Sequence, residues 1–325
     1  MSALFCLATA RGVHIFERTQ NNFRAMAHGL RDHRITSIIA REGVMLAGAP
    51  DGVWRSDDLG KTWEAANNGL STRYVRWLAF HPAISDLEFA GTEPANIFIS
   101  HNGGAAWREC NEISKLRDAH KWFLPYSSGA GCIRGFAFHG ERAYAAAEVG
   151  GALRSDDRGE TWRLCAGSSG KPSLNTPRAG LIHPDVHSLA VHPSSPDFVG
   201  APTGGGYYQS SDGGATWELK YDCYVRAVWL DPDDARHQIL GPADNVDANG
   251  RIEETHDGGA TWHAASHDLP VPWRDHMVER FVQTDEELFA VLSNGQVLSA
   301  PLANLQWQPI FSDIANITAL AAMKV

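Results

Sequence analysis

No run in the sequence approaches the ~18 apolar residues that a membrane-spanning helix needs, which sets such helices aside. Cysteine is scarce and odd in number, and Cys6, Cys110, Cys132, Cys165 and Cys223 form no CxxC pair. That pattern excludes a fully paired disulfide framework and a zinc knuckle and fits reduced thiols. Positive charge is short as well: 28 Lys and Arg stand against 38 Asp and Glu in 325 residues, a formal −10. Such a surplus argues against nucleic acid or an anionic membrane as partner and leaves only a local basic patch open. The opening MSALFCLATARGVHIF lacks the basic n-region and small-residue cleavage site of a signal peptide, so the expected compartment is the cytoplasm. Neither HxH nor HExxH occurs among the 15 histidines. The remaining balance, 43% hydrophobic and 20% charged, is that of a chain able to bury a large core.

What is present is self-similarity. The pattern S/T-x-D-x-G-x-T-W reads SDDLGKTW (Ser56 to Trp63), SDDRGETW (Ser155 to Trp162), SSDGGATW (Ser210 to Trp217) and THDGGATW (Thr255 to Trp262). A degraded copy, SHNGGAAW (Ser100 to Trp107), carries Asn102 for the Asp and Ala106 for the Thr. Physically this is a hairpin turn: Ser and Asp bond backbone amides, Gly supplies a positive φ, Thr starts the next strand and Trp packs between sheets. Asp58, Asp157, Asp212 and Asp257 are therefore assigned to the turns and not to catalysis.

Upstream of the boxes stands a second recurring unit, an alternating strand followed by one rich in small residues. It reads YVRWLAFHP (Tyr74 to Pro82), CIRGFAF (Cys132 to Phe138), VHSLAVHP (Val186 to Pro193) and YVRAVWLDP (Tyr224 to Pro232). The third residue of each unit gives Thr36, Arg76, Arg134, His187, Arg226, Glu279 and Thr318, so the repeat averages about 46 residues. The expected fold is an all-β, seven-bladed β-propeller forming one domain over 1–325. The C-terminal NITALAAMKV (Asn316 to Val325) supplies the innermost strand of the first blade and closes the ring, which removes an open sheet edge. Longer intervals mark insertions at Asn111 to Gly131, at Ala166 to Pro184 and in the loops after Gly241.

The octapeptide resembles the Asp-box (BNR) repeat of sialidase-like β-propellers, over nearly the whole chain. The resemblance implies the fold far more specifically than an activity. Sialidases hold a substrate carboxylate with three arginines, yet their F/Y-R-I-P motif is absent here and their usual six blades differ from seven, so sialidase activity is not implied. In size and blade count the chain is more similar to bacterial BNR-repeat proteins described as glycosyl hydrolase-like. It is also similar to photosystem II assembly factor propellers, which hold a protein partner on an arginine-rich surface.

In a propeller the inner strands line a central channel, and the loops leading into them share a face with the loops joining second and third strands. Arg76, Arg134 and Arg226 would meet there with His187 and Glu279. Arginine's planar fork matches a carboxylate or phosphate, which makes the funnel a candidate site for a small anionic ligand. The second reading is that these arginines pair with Glu279, Glu148 and Glu93 and plug the channel. In the catalytic version His187 transfers a proton and Glu279 or Glu148 is its partner, giving hydrolase or lyase chemistry. The rim adds His120, Trp122, Tyr126, Asp185, Asp222, Tyr224, Asp244, Trp273 and His276 as ligand contacts. Histidines 187, 120, 183 and 276, converging with Asp185, Asp222 or Glu279, would suit a divalent metal. Cys132 and Cys223 precede inner strands and are either activated thiols or small buried residues. The rival function is a non-catalytic scaffold whose loops dock a protein partner.

Overall fold

The computed structural model describes residues 3–19 and 22–324, so Met1, Ser2, Gln20, Asn21 and Val325 lie outside it. Seven four-stranded antiparallel sheets are arranged as the blades of a propeller. The inner strands of the second to seventh blades are Ser37–Arg41, Tyr74–Phe80, Cys132–His139, Ala190–Val191, Tyr224–Leu230 and Val278–Gln283. The first blade takes its inner strand from the far end of the chain: Ile317–Lys324 pairs with Ala3–Thr9 in antiparallel register, Leu7 opposite Leu320. This closure satisfies the backbone groups that a free edge would leave unpaired.

Second strands are sandwiched between neighbouring blades, which is why they are built from small residues. Arg142–Glu148, with its Ala145-Ala146-Ala147 run, is almost wholly buried. Phe89 and Ile97 of the third blade share one core with Ile133, Ala145 and Leu153 of the fourth, sealed by the box residue Trp162. Wedge-shaped blades pack on a common axis only if the strands near that axis stay thin.

Each octapeptide joins a third strand to a fourth. In the turn at Ser155, Ser155 Oγ donates to Asp157 Oδ1 at 2.7 Å and accepts the Gly159 amide at 2.8 Å. Asp157 in turn accepts the Thr161 amide at 2.9 Å and the Thr161 hydroxyl at 2.6 Å. Gly159 sits at φ +86°, and a Cβ there would lie 2.2 Å from the Phe89 ring, so the position requires glycine twice over. Ser56, Ser210 and Thr255 head turns of the same geometry.

Two features depart from the sequence reading. The insertion after the third blade contains a helix, Asn111–His120, where an irregular loop was expected; it is ten residues long and buries only Ile113, too thin an apolar stripe to show a helical period. The fifth blade's inner strand shrinks to Ala190–Val191, while the His187 amide before it still donates to the Pro202 carbonyl of the neighbouring strand at 2.9 Å.

Candidate functional site

Five of the seven inner strands, those of the first, third, fourth, sixth and seventh blades, carry a β-bulge at a ring residue. Val75 and Trp77 pair with consecutive residues Thr92 and Gly91, leaving Arg76 unpaired; Arg134, Glu279 and Thr318 are extra in the same way. In the sixth blade the bulge holds Arg226 and Ala227. A bulge bends the strand and re-aims its side chain, here toward the axis. The repeat positions picked from sequence thus converge for a geometric reason.

Each of the three arginines meets an acid. Arg76 Nη1 lies 2.7 Å from Glu93 Oε2, and Arg134 Nη1 lies 3.0 Å from Glu148 Oε2. Arg134 Nη2 also reaches across to Glu279 Oε2 at 3.3 Å, while Arg226 binds the other oxygen of Glu279 and lies 3.1 Å from Asp247. Burial alone would raise the Glu279 carboxyl, but the Arg226 and Arg134 guanidiniums outweigh it and hold the group below the usual carboxylate range. Glu148 is held down in the same way, chiefly by Arg134. Both acids are therefore ionised and already engaged, which favours a structural part over proton transfer.

His187 is fully buried as a side chain. Its Nδ1 faces the Val225 carbonyl at 2.8 Å, and since a carbonyl only accepts, Nδ1 carries the proton. Thr36 and Thr318 make the same stitch between blades, their hydroxyls donating to the carbonyls of Val75 and Ile35. The remaining nitrogen, Nε2, faces Asp185 Oδ2 at 3.2 Å and the Tyr224 hydroxyl at 3.3 Å. Burial would raise Asp185, yet the His187 charge and hydrogen bond bring it down to about 2. Its Oδ1 is buried without a partner among the described residues. Donor atoms of Glu148, Asp185 and His187 lie within 4.8 Å of one another, as a metal would need. Arg134, 3.0 Å from Glu148, already supplies a fixed positive charge there, so the residues fit an ion cluster better than a metal.

Apart from Asp185 and Tyr224, which meet at His187, the rim residues do not converge. Trp122, expected as a stacking surface, is a core residue whose indole donates to the Gly170 carbonyl at 2.8 Å; it pins the helical insertion to the body. His120 ends that helix and lies against Gly170. Asp222 is exposed, and Asp244 turns to Asn249 and Arg251. His276 pairs with Asp275 and stacks on Trp273. Burial pushes the Cys132 and Cys223 thiols up, Cys223 to about 12, so neither is an activated thiolate.

A cavity of about 240 Å³ opens on the axis beside the ring, lined among others by Arg34, Thr36, Tyr74, Arg76, Trp77 and Arg280. Arg280 was not singled out from sequence because strand alternation turns it away from Glu279; the bulge cancels that alternation. Its guanidinium lies 4.2 Å from the Trp77 ring centre, on the blade across the channel, and its Nε has no partner among the described residues. Burial pulls it down to about 10, only partly offset by the neighbouring Glu279. Larger hollows, of about 600 and 950 Å³, lie between the outer parts of the first and seventh blades, where Arg18 is paired with Glu287.

Fold and channel together define a seven-bladed propeller with an arginine-lined axial cavity. No family model matches the chain. It is similar to a xyloglucanase of Paenibacillus sp., 26% identical over 271 residues, which is 72% of this chain and 25% of that enzyme. The chain thus spans about a quarter of the length of the curated relative it matches. Among solved structures, an ancestral GH74 enzyme superposes with a TM-score of 0.62 at 15% identity, over 90% of this chain and 38% of that one. YCF48 from Cyanidioschyzon merolae superposes with a TM-score of 0.61 at 14% identity, over 93% of this chain and 96% of that one. These likenesses establish the propeller fold.

Proposed function

We propose that this is an Asp-box propeller that binds a small carboxylate-bearing ligand, of the sugar-acid type, in the axial cavity. The observation that carries the reading is Arg280, half-buried with a buried Nε that lacks a partner, beside Arg34 in the cavity wall, neither forming an ion pair among the described residues. A ligand carboxylate would supply the missing counter-charge through a charge-assisted, forked hydrogen bond. Tyr74 and Trp77 offer flat faces to a ring carried by that ligand. Similarity to a xyloglucanase and to a GH74 enzyme supports a carbohydrate frame for it. Any hydrolase chemistry would draw on the His187, Asp185 and Tyr224 group, in which His187 is buried and Asp185 and Tyr224 are half-buried.

A second reading, a scaffold that docks a protein partner, is favoured by YCF48, which matches this chain along nearly its full length and has also been solved with a bound peptide. Thermal-shift titrations with uronic acids, dicarboxylates, phosphate and neutral sugars separate the two. A ligand that binds the native state raises Tm by mass action. The expected outcome is a shift with an acidic sugar or dicarboxylate that Arg280→Gln removes. No shift with any of these, together with capture of a peptide, would overturn the cavity reading in favour of the scaffold.

A further inference from the structure

On the box face of the sixth blade, away from the channel mouth, His237, Glu254 and His256 point their donor atoms at one spot. Glu254 lies on the strand Glu253–Thr255 and His256 follows it directly, two positions on. His237 stands opposite His256, one step beyond the Gln238–Thr255 pair. His237 Nε2 lies 3.3 Å from Glu254 Oε2 and His256 Nε2 lies 3.4 Å from the same oxygen. The two imidazoles stack at 4.3 Å and 12°, which sets their Nε2 edges side by side.

Protons decide what this arrangement is for. His237 Nδ1 lies 2.8 Å from Asp231 Oδ2, and a carboxylate only accepts, so Nδ1 carries the hydrogen. In the neutral imidazole Nε2 is then a lone pair facing the lone pairs of Glu254, a repulsion relieved either by a second ring proton or by a cation between them. We propose that it is a cation, a divalent first-row metal ion of the zinc class, held by His237 Nε2, His256 Nε2 and a Glu254 oxygen. With metal–ligand bonds of about 2.0–2.1 Å, ligand atoms around a tetrahedral ion stand roughly 3.3 Å apart, as both imidazole nitrogens do from Glu254 Oε2. Asp231 behind His237 is the outer carboxylate that orients a ligating imidazole and raises its basicity. Trp229 packs edge-on against the His237 ring and fixes its plane. Arg236 does not compete, being tied to Asp234 at 3.1 Å. His256, 64% exposed, leaves the fourth position open to water or to an exogenous ligand.

The test is equilibrium binding of Zn²⁺ to the full chain by competition with a chromophoric chelator, with Co²⁺ absorption as a geometric readout. One equivalent of zinc is expected, with a four-coordinate Co²⁺ spectrum. Affinity should fall at least tenfold in His256→Ala and Glu254→Gln, and about tenfold in Asp231→Asn. It should be unchanged in His187→Ala, which separates this site from the channel cluster. Absence of zinc binding at micromolar concentration, wild-type affinity in His256→Ala or Glu254→Gln, or loss of binding in His187→Ala would each overturn the assignment. Folding of the variants is checked by circular dichroism.

Discussion

The two ends of the propeller use acidic residues in opposite ways. In the box turns the carboxylates are at the surface and bound by their own loop: Asp58 is brought to about 2 chiefly by hydrogen bonds from the Thr62 amide and hydroxyl. In the channel ring Glu279 is half-buried, and it stays ionised because two arginines from other blades surround it. A turn carboxylate organises four or five neighbouring residues, whereas a ring carboxylate ties together blades distant in the chain. Removing either breaks hydrogen bonds, but only the second strands buried charge.

Glu279→Gln tests that difference most severely. It removes the acid shared by Arg134 and Arg226, whose side chains are only 16% and 11% exposed, leaving each with one acid, Glu148 and Asp247. Loss of one partner from a buried ion pair costs about 3–5 kcal/mol, and that fall in unfolding free energy is expected in urea titrations. A loss below about 1 kcal/mol, the size of a surface pair, would show that water screens the ring as it does the turns.

Glu88 sharpens the comparison from the other side, because it is a buried acid in no ion pair among the described residues, with Arg41 only a minor influence. It pairs in register with Ser100, beneath the degraded box, is 0% exposed, and neither oxygen has a partner among the described residues. Burial pushes its carboxyl up to about 7. A folded-state value above the unfolded one means that folding takes up a proton, so stability falls as pH rises from about 4.5 to about 7 and stays lower beyond. Glu88→Gln removes the titrating group. The variant should exceed the wild type by on the order of 2–3 kcal/mol at pH 8, and the gap should close toward pH 5. A gap independent of pH would mean that Glu88 does not titrate in that range.

The same contrast explains what could be read from the chain. A box turn is complete within eight residues, with every partner at most four positions from its acceptor, so motif, turn and blade count were legible together. Ring positions were legible because the repeat carries each to an equivalent place. Which acid would meet which arginine was not: Arg134 and Glu279 are 145 positions apart and join only after the ring closes. Trp122 looked like a rim aromatic because nothing in its insertion announces that the loop folds back onto Gly170. Arg280 was hidden by the bulge at Glu279, which alternation of strand faces does not foresee. The His237 cluster escaped because its ligands face one another across two strands and make no short motif.

The smallest effect tests whether box turns act independently of everything the ring does. In the degraded copy Ser100 and Asn102 keep the frame: Ser100 Oγ accepts the Gly104 amide at 2.9 Å and Asn102 Oδ1 accepts the Ala106 amide at 2.9 Å. What is missing is the bond from the Thr hydroxyl to the second Asp oxygen, which measures 2.6 Å at Asp157 and at Asp257. The double change Asn102→Asp with Ala106→Thr restores both partners in a turn already shaped to receive them. One exposed hydrogen bond to a charged acceptor is worth about 0.5–1.5 kcal/mol net, so a gain of that order is expected in urea unfolding. Measured at pH 5, where Glu88 is protonated, the gain should require both substitutions. If Asn102→Asp alone delivers it, the carboxylate acts through the surrounding field, and the turn is less self-contained than its hydrogen bonds indicate.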